Sequence, residues 1–564
     1  MSPGELPMSL TMDPDELPMR PASYATGRRI ATLLACGQTS ITIDDVGFVI
    51  DSGRVKEERY EVARRMAALE DVLVSGAAAK QRRGRAGRVQ HGICVHLFPS
   101  DAALAPYTAP EVQRVALEQL VMRTKSLKLP GKANDAISRL PDPPESDAVA
   151  AAVAELSDLG ALDSDEALTP MGLLLSRLPI DARLGKLLLL GVALGATDEA
   201  LTVAATLASR SPFLSPLERR NEADESRKKF ATFQSDHLAL LSAYTQFDCI
   251  PGDAKFSFAR ERFLGVKSLT SIGSLKRQLL EALSIAGLVP QGLHASRVEE
   301  GGRRAGGSDG VRLALGNPPP PPHELLCSIL AAALHLAYIS RPPGGNAGSQ
   351  VSYLIRDAKG ENTEPSAAAL HPSSVNSRGV SGGDWLAPYI AFHECVRTTK
   401  LYVRDCSPAP LLPLLLFAGA ELRQADPSVG LAVAATQGGM ELVVDGWLSV
   451  KVQPARVANL VLELRQRVDG LLQRMVQRAS DSSRHEHRGV AAAATVVDVS
   501  PLVGAIVEIF KIEAQPEVEK NKKAKGHKKN NKTKGGEGSG PSWQGSIFSD
   551  PYNDVGGRGG LYEY

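Results

Sequence analysis

Five consecutive prolines, Pro318–Pro322, close a Gly/Arg-rich stretch that begins at Glu299. Proline has no amide hydrogen and a fixed φ, so neither a helix interior nor a central strand runs through such a segment. It is read as an extended, solvated linker over 296–324 that splits the chain into at least two separately packed regions. Their textures differ. Between about residues 110 and 288 apolar residues recur three and four apart, as in PEVQRVALEQLVMRTKSL, DAVAAAVAELSDLGAL and ARLGKLLLLGVAL, which predicts an all-helical middle. Beyond the prolines come short alternating runs, VSYLIRD, PYIAFHECVRTTKLYVRD and ELVVDGWLSV, the pattern of a small antiparallel barrel. ARVANLVLELRQRVDGLLQRMVQ then returns to helical spacing.

Ahead of the helical middle, TSITID, VGFVIDSG and GICVHLF are β-branched and apolar and bounded by Gly and charge, which suits buried parallel strands. AAAKQRRGRAGR between them reads as a helix, completing an α/β unit. Residues 1–27 lack sustained periodicity and are expected to be disordered. So is the end from about 516, where Lys520 to Lys534 holds eight lysines and no acid. With 564 residues, 43% of them apolar, the chain has material for several cores. Its 64 basic and 63 acidic side chains nearly cancel, so a nucleic-acid signal has to be local. Six scattered cysteines form no CxxC pair or zinc spacing. With no signal peptide and no apolar run of membrane length, the expectation is a soluble intracellular protein, cytoplasmic or nuclear, with no membrane partner.

The chemistry concentrates at Gln81–Arg88, QRRGRAGR. On a continuous helix Gln81, Arg85 and Arg88 stand at i, i+4 and i+7 and share a face, while Arg82 and Arg83 point elsewhere. Planar arginine donors meet charge building on a γ-phosphate, and a glutamine holds the attacking water; Gly84 and Gly87 let the backbone approach a ligand. A solvated basic helix face, or an RG-rich arm, gives the same letters.

VSGAAAKQRRGRAGRVQHGICVHLF resembles the sixth helicase motif of the DEAH/RHA family of RNA helicases. The resemblance implies that Gln81, Arg85 and Arg88 sense the γ-phosphate, with Arg88 or Arg85 as the arginine finger. GQTSITIDDVGFVIDSGRVKE resembles the fifth motif and its hairpin, where Thr39 and Ser40 would face RNA phosphates and Asp44 the nucleotide ribose. Leu34, Ala35, Cys36, Gly37 and Gln38 stand where the family has Thr-Asn-Ile-Ala-Glu, which makes a polar stretch largely apolar. Downstream, PEVQRVALEQLVMRTKSL, with Arg114, and LGALDSDEALTPMG resemble the family's winged helix. LPIDARLGKLLLLG, ASRSPF, SDHLAL and FLGVKSLTSIGSLKRQLLEAL resemble its ratchet domain. LHPSSVN and FHECVRTTKLYVRDCS resemble its OB-like domain.

The resemblance therefore implies a multidomain α/β plus α plus β chain. Its expected parts are the end of a second RecA-like domain with a partial parallel sheet (28–107), a winged helix (108–178), a helical ratchet bundle (179–295), an OB-like barrel (325–450), a helical extension (451–515) and the basic tail. In KLYVRD, alternation places Lys400, Tyr402 and Arg404 on one face and Leu401 and Val403 on the other. Cations flanking an aromatic suit single-stranded nucleic acid on an OB strand, and any half-buried strand shows the same alternation. His371 and Ser373 of HPSS suit phosphate contact equally with a turn. No GxxxxGK[ST] loop and no DEAH or DExH tetrapeptide occurs in the sequence. ATP and Mg²⁺ would thus require a first RecA-like domain supplied by an upstream segment or a separate polypeptide, and a split gene is one expectation. The implied function is ATP-dependent RNA unwinding on single-stranded or structured RNA, with an activator protein as a further partner; the alternative is a non-catalytic RNA-binding or partner-docking scaffold.

Overall fold

The computed structural model describes residues 29–32, 46–61, 66–86, 91–129, 131–289, 312, 315, 320–340, 352–355, 366–377, 389–397, 400–418, 422–424, 440–444, 448–452, 454–485, 504 and 548–549. The chain divides into two units, Met1–Tyr60 with Ala67–Val115, and Glu61–Met66 with Ala116–Tyr564.

In the first unit VGFVIDSG and GICVHLF form parallel strands, as expected, while TSITID lies outside the described residues. Arg29–Thr32 (β1), Val46–Asp51 (β2) and Ile93–His96 (β5) make one parallel sheet in the order β1-β2-β5. Arg54–Glu61 (β3) and Met66–Leu73 (β4) form a separate two-stranded sheet. Gly53 turns the chain from β2 into β3 with φ +70°, and a Cβ there would lie 2.3 Å from a Phe98 ring carbon; the left-handed backbone and the close ring both demand glycine. Helix α1, Gly76–Arg83, starts at Ser75, whose Oγ accepts from Ala78 N. It does not continue through QRRGRAGR. Gly84 caps it, and the amides of Arg85 and Ala86 make i→i−3 turns onto Arg82 and Arg83. Glycine is among the weakest helix formers, and the turn seats Ala86 beneath Val49 and Cys94.

The second unit begins with Glu118–Ser126 (α2), Ala133–Ile137 (α3), Ser146–Asp158 (α4) and Pro170–Leu175 (α5). Thr169 caps α5 by accepting from Gly172 N and donates to Gly160 O, with Pro170 in the first turn. Helices Ala182–Ala193 (α6) and Thr197–Leu207 (α7) approach so closely that a Cβ on Gly191 would lie 2.3 Å from that of Ala200. Arg220–Phe230 (α8), Asp236–Cys249 (α9), Ala254–Glu261 (α10) and Val266–Ile285 (α11) complete the helical middle. Two buried ion pairs tie α7 to its surroundings, Lys276–Asp198 and Arg312–Glu199.

After His323–Ala333 (α12), a closed barrel forms from His335–Ser340 (β6), Ser352–Ile355 (β7), Ser366–Leu370 (β8), Tyr389–Arg397 (β9) and Leu401–Ala409 (β10). Four of its strand contacts are antiparallel, as expected, but β10 closes against β8 in parallel. Tyr353, Ile390, Phe392, Val403 and Cys406 fill it. Leu411–Phe417 (α13) follows. ELVVDGWLSV, read as part of the barrel, instead supplies Met440–Val444 (β12) and Leu448–Val452 (β13) to a separate antiparallel sheet with Leu422–Gln424 (β11) and Phe548–Ser549 (β14). Ala455–His485 (α14) is one long helix. Most of the Gly/Arg/Pro linker lies outside the described residues. Among the described residues no helix is long and apolar enough to cross a membrane, no His/Cys/Asp/Glu group has metal-binding geometry, and the cysteines form no disulfide.

Candidate nucleic-acid interface

In the first unit the end of α1 at Arg83 separates the residues expected on one helical face. Gln81 is exposed on the last turn, Gly84 caps the helix and is exposed, and Arg85 sits in the following turn, buried. Arg88, Thr39, Ser40 and Asp44, together with Gly87, lie outside the described residues. Arg82, expected to point away, is taken inward as well. Arg82 is 1% exposed; its Nη1 donates to Asp51 Oδ1 at 2.8 Å and to the Arg54 carbonyl at 3.2 Å. Asp51 is fully buried and also accepts from Gly53 N, with His96 Nδ1 3.4 Å from its other oxygen. The signal in the sequence was the carboxylate closing the apolar strand VGFVID: a charge there needs a buried cation.

In the second unit, the barrel brings HPSS and KLYVRD together because β8 and β10 pair in parallel, with Tyr402 opposite Ala369 and Val403 opposite Leu370. His371 N donates to Val403 O, and the His371 ring stands edge-on to Tyr402 with centroids 5.9 Å apart. Val403 is buried and Leu401, partly buried, packs against the barrel core, while Tyr402 and Arg404 are partly exposed and Lys400, just before the strand, is exposed. Arg404 shares its charge with Glu394 across the strand pair. His371, Ser373, Tyr402 and Arg404 therefore form one surface, with Lys400 at the start of the same strand.

Sequence reasoning missed what holds that surface. Asp236, at the start of α9, accepts from Ser374 Oγ at 2.7 Å, Val375 N at 2.7 Å and Cys406 N at 2.8 Å, so one carboxylate fixes both the HPSS loop and β10. Burial, reinforced by the charge of Asp405, lifts its pKa to about 6, against the pull of those donors. Asn376 Nδ2 reaches Gln234 O at 2.8 Å, where Phe233 and Gln234 both adopt left-handed backbone. Asp405, just before the Cys406 amide, is left-handed too, with φ 52°. Such conformations cost energy in non-glycine residues and persist where surrounding contacts over-determine them. From α8, the buried Arg227 stacks over Phe213 at 5.1 Å and donates through Nη1 to Ser373 O. The buried neighbours Ser235, Ser407 and His237 share short contacts, and burial pushes His237 down to about 3. SDHL supplies Ser235, Asp236 and His237 in one helical turn, which is the pattern that could have signalled this clamp.

Four known families match parts of the chain. A helicase-associated (HA2) winged-helix family matches residues 152–180, a ratchet-like HA2 family 181–240, an oligonucleotide/oligosaccharide-binding fold 345–421, and a C-terminal domain of RNA helicases 441–495. Among curated relatives, the "Putative ATP-dependent RNA helicase DHX57" of Mus musculus is 40% identical over 82% of this chain and 33% of its own length. The "DExH-box ATP-dependent RNA helicase DExH1" of Arabidopsis thaliana is 33% identical over 83% and 43%, and the "ATP-dependent DNA/RNA helicase DHX36" of Homo sapiens 32% over 84% and 44%. The chain thus spans between a third and under a half of the length of these relatives. Through its winged-helix, ratchet, oligonucleotide-binding and C-terminal domains, the chain belongs to the DEAH/RHA family of RNA helicases.

Proposed function

We propose that this chain grips RNA for an ATP-dependent helicase and contributes the arginine-bearing half of its nucleotide site. The observation that carries the reading is the joining of His371, Ser373, Tyr402 and Arg404 into one surface by the β8–β10 pairing. An aromatic ring beside cations on an OB-type strand suits single-stranded RNA, where bases stack and phosphates meet positive charge. Lys400, at the start of that strand, adds a phosphate-facing cation. In this reading β1-β2-β5 is the end of a second RecA-like domain, and Gln81, Arg85 and Arg88 act on the γ-phosphate of ATP with Mg²⁺. Thr39 and Ser40 face RNA phosphates, Asp44 the ribose, and Gly84 gives backbone access to the nucleotide. Hydrolysis then needs a first RecA-like domain with a GxxxxGK[ST] loop, which this sequence does not contain. Activity belongs inside the cell, in cytoplasm or nucleus, with room for an activating protein partner.

The test is direct. The purified chain is expected to bind single-stranded RNA with steep salt dependence and to show no ATPase alone; adding a Walker-loop-bearing domain restores RNA-stimulated hydrolysis that Arg85→Ala or Arg88→Ala removes. Lack of RNA binding at low salt refutes the reading. The apolar Leu34, Ala35 and Cys36 in the fifth-motif stretch favour a second reading, a non-catalytic RNA-binding scaffold, in which binding persists and no added domain brings hydrolysis.

A further inference from the structure

The polar atoms around His371 fix which of its nitrogens carries a proton. Ser373 N lies 3.1 Å from His371 Nδ1 and is a backbone amide, so it can only donate. Nδ1 is therefore an acceptor, and the Ser373 hydroxyl sits 2.6 Å from the same atom. A neutral imidazole that accepts at Nδ1 carries its hydrogen at Nε2. Adding a second proton at Nδ1 would set N–H against the Ser373 amide. Arg227 and Asp236 hold that amide in place, the first through the Ser373 carbonyl and the second through Ser374 and Val375.

The charges facing the ring also act against a cation there. Burial comes first, then Arg404 from β10 and Arg227 and Arg220 from α8, with Glu394 of β9 the opposing group; together they hold the imidazole below its ordinary range. The site accordingly has arginines for charge and a histidine whose local geometry denies it any.

Resting on the RNA-binding reading above, we propose that His371 serves the bound strand as a fixed, uncharged hydrogen-bond donor, its Nε2–H meeting an acceptor oxygen of the nucleotide. It would discriminate by direction rather than by charge. An ionic contact releases counterions and steepens the salt dependence, whereas a neutral donor adds affinity without changing the slope.

Binding of the full chain to a labelled single-stranded oligouridylate, followed by fluorescence anisotropy across a salt series, tests this. His371→Ala is expected to weaken binding about five- to thirtyfold at unchanged slope, the worth of one hydrogen bond. Arg404→Ala is expected to lower the slope of log affinity against log salt by about one. His371→Gln, which keeps an uncharged N–H donor, recovers part of the loss and controls for folding. Between about pH 6 and 8, where an ordinary histidine titrates, the unmodified chain should change affinity less than about twofold. The proposal is overturned by a slope change in His371→Ala, by an affinity rise of about tenfold toward pH 6 that the variant lacks, or by no effect of the variant. Failure of the unmodified chain to bind overturns the RNA-binding reading itself. Repeating the series on the 2′-deoxy strand locates the acceptor: the His371 effect vanishes for a ribose hydroxyl and persists for a phosphate oxygen.

Discussion

Replacing Asp236 by alanine removes three hydrogen bonds at once, two from the loop that carries His371 and Ser373 and one from β10. The donors are Ser374 Oγ, Val375 N and Cys406 N, all within 2.8 Å of the carboxylate, and Asp236 is 5% exposed. The hydroxyl can rotate to another acceptor, but the two amides cannot. A buried donor left unmet costs about 1–3 kcal/mol, so the amides alone set a loss of about 2–6 kcal/mol. The carboxylate's own desolvation offsets part of this: a pKa lifted to about 6 means that the ionised form is disfavoured by about 3 kcal/mol at neutral pH. A net cost of up to about 3 kcal/mol is expected. Because the clamp is local, hydrogen exchange reads it better than global melting. Amides in 371–377 and 401–409 should exchange faster, by up to about 150-fold, in Asp236→Ala at neutral pH. Exchange elsewhere in the barrel, as at β6 and β7, should move little. If the two segments keep their protection, the carboxylate is not what holds the loop that carries His371 and Ser373, and its assigned role fails.

The neighbouring histidine gives a pH prediction. His237 stays neutral in the folded chain down to about 3, while an unfolded histidine takes its proton near 6.5. Its contribution is present above pH 6.5 and is lost as pH falls, by about 2 kcal/mol at pH 5. Asp236 runs the other way: its raised pKa means the folded state takes up a proton first, so stability is gained as pH falls through 6, about 1 kcal/mol by pH 5. Asp236 thus offsets about half of the histidine loss, and Asp236→Asn should expose the full histidine cost as a steeper drop in midpoint between pH 7 and 5; equal drops in both proteins would contradict it. In the first unit, Arg82→Ala leaves the Asp51 carboxylate buried and unpaired, so urea unfolding of that unit should lose about 3–5 kcal/mol. Arg83→Ala, at an exposed position, should change it by less than about 0.5 kcal/mol. Similar losses in both variants would refute the assignment.

The local elements were largely legible because their causes are local. VGFVID and GICVHLF became parallel strands through continuous apolar surface, and Thr169-Pro170 began a helix where cap chemistry placed it. QRRGRAGR misled for a physical reason. Helical spacing assumes a continuous helix, and Gly84 ended it, so Gln81 and Arg85 do not share one helical face, while Arg82, still on the helix, meets the buried Asp51 carboxylate. ELVVDGWLSV carried the right strands but not their partners, since alternation says which face is apolar and nothing about which sheet receives it.

By itself, then, the sequence determined the residue types of the interface, the strands and helices that bear them, and their family. Only the tertiary structure decided that β8 and β10 would lie parallel and bring His371 beside Tyr402. It also decided that Asp236, 138 residues before Ser374, would supply the acceptor for that loop. Such pairings follow from buried polar groups needing partners wherever the closed fold provides them, and separation along the chain carries no record of that.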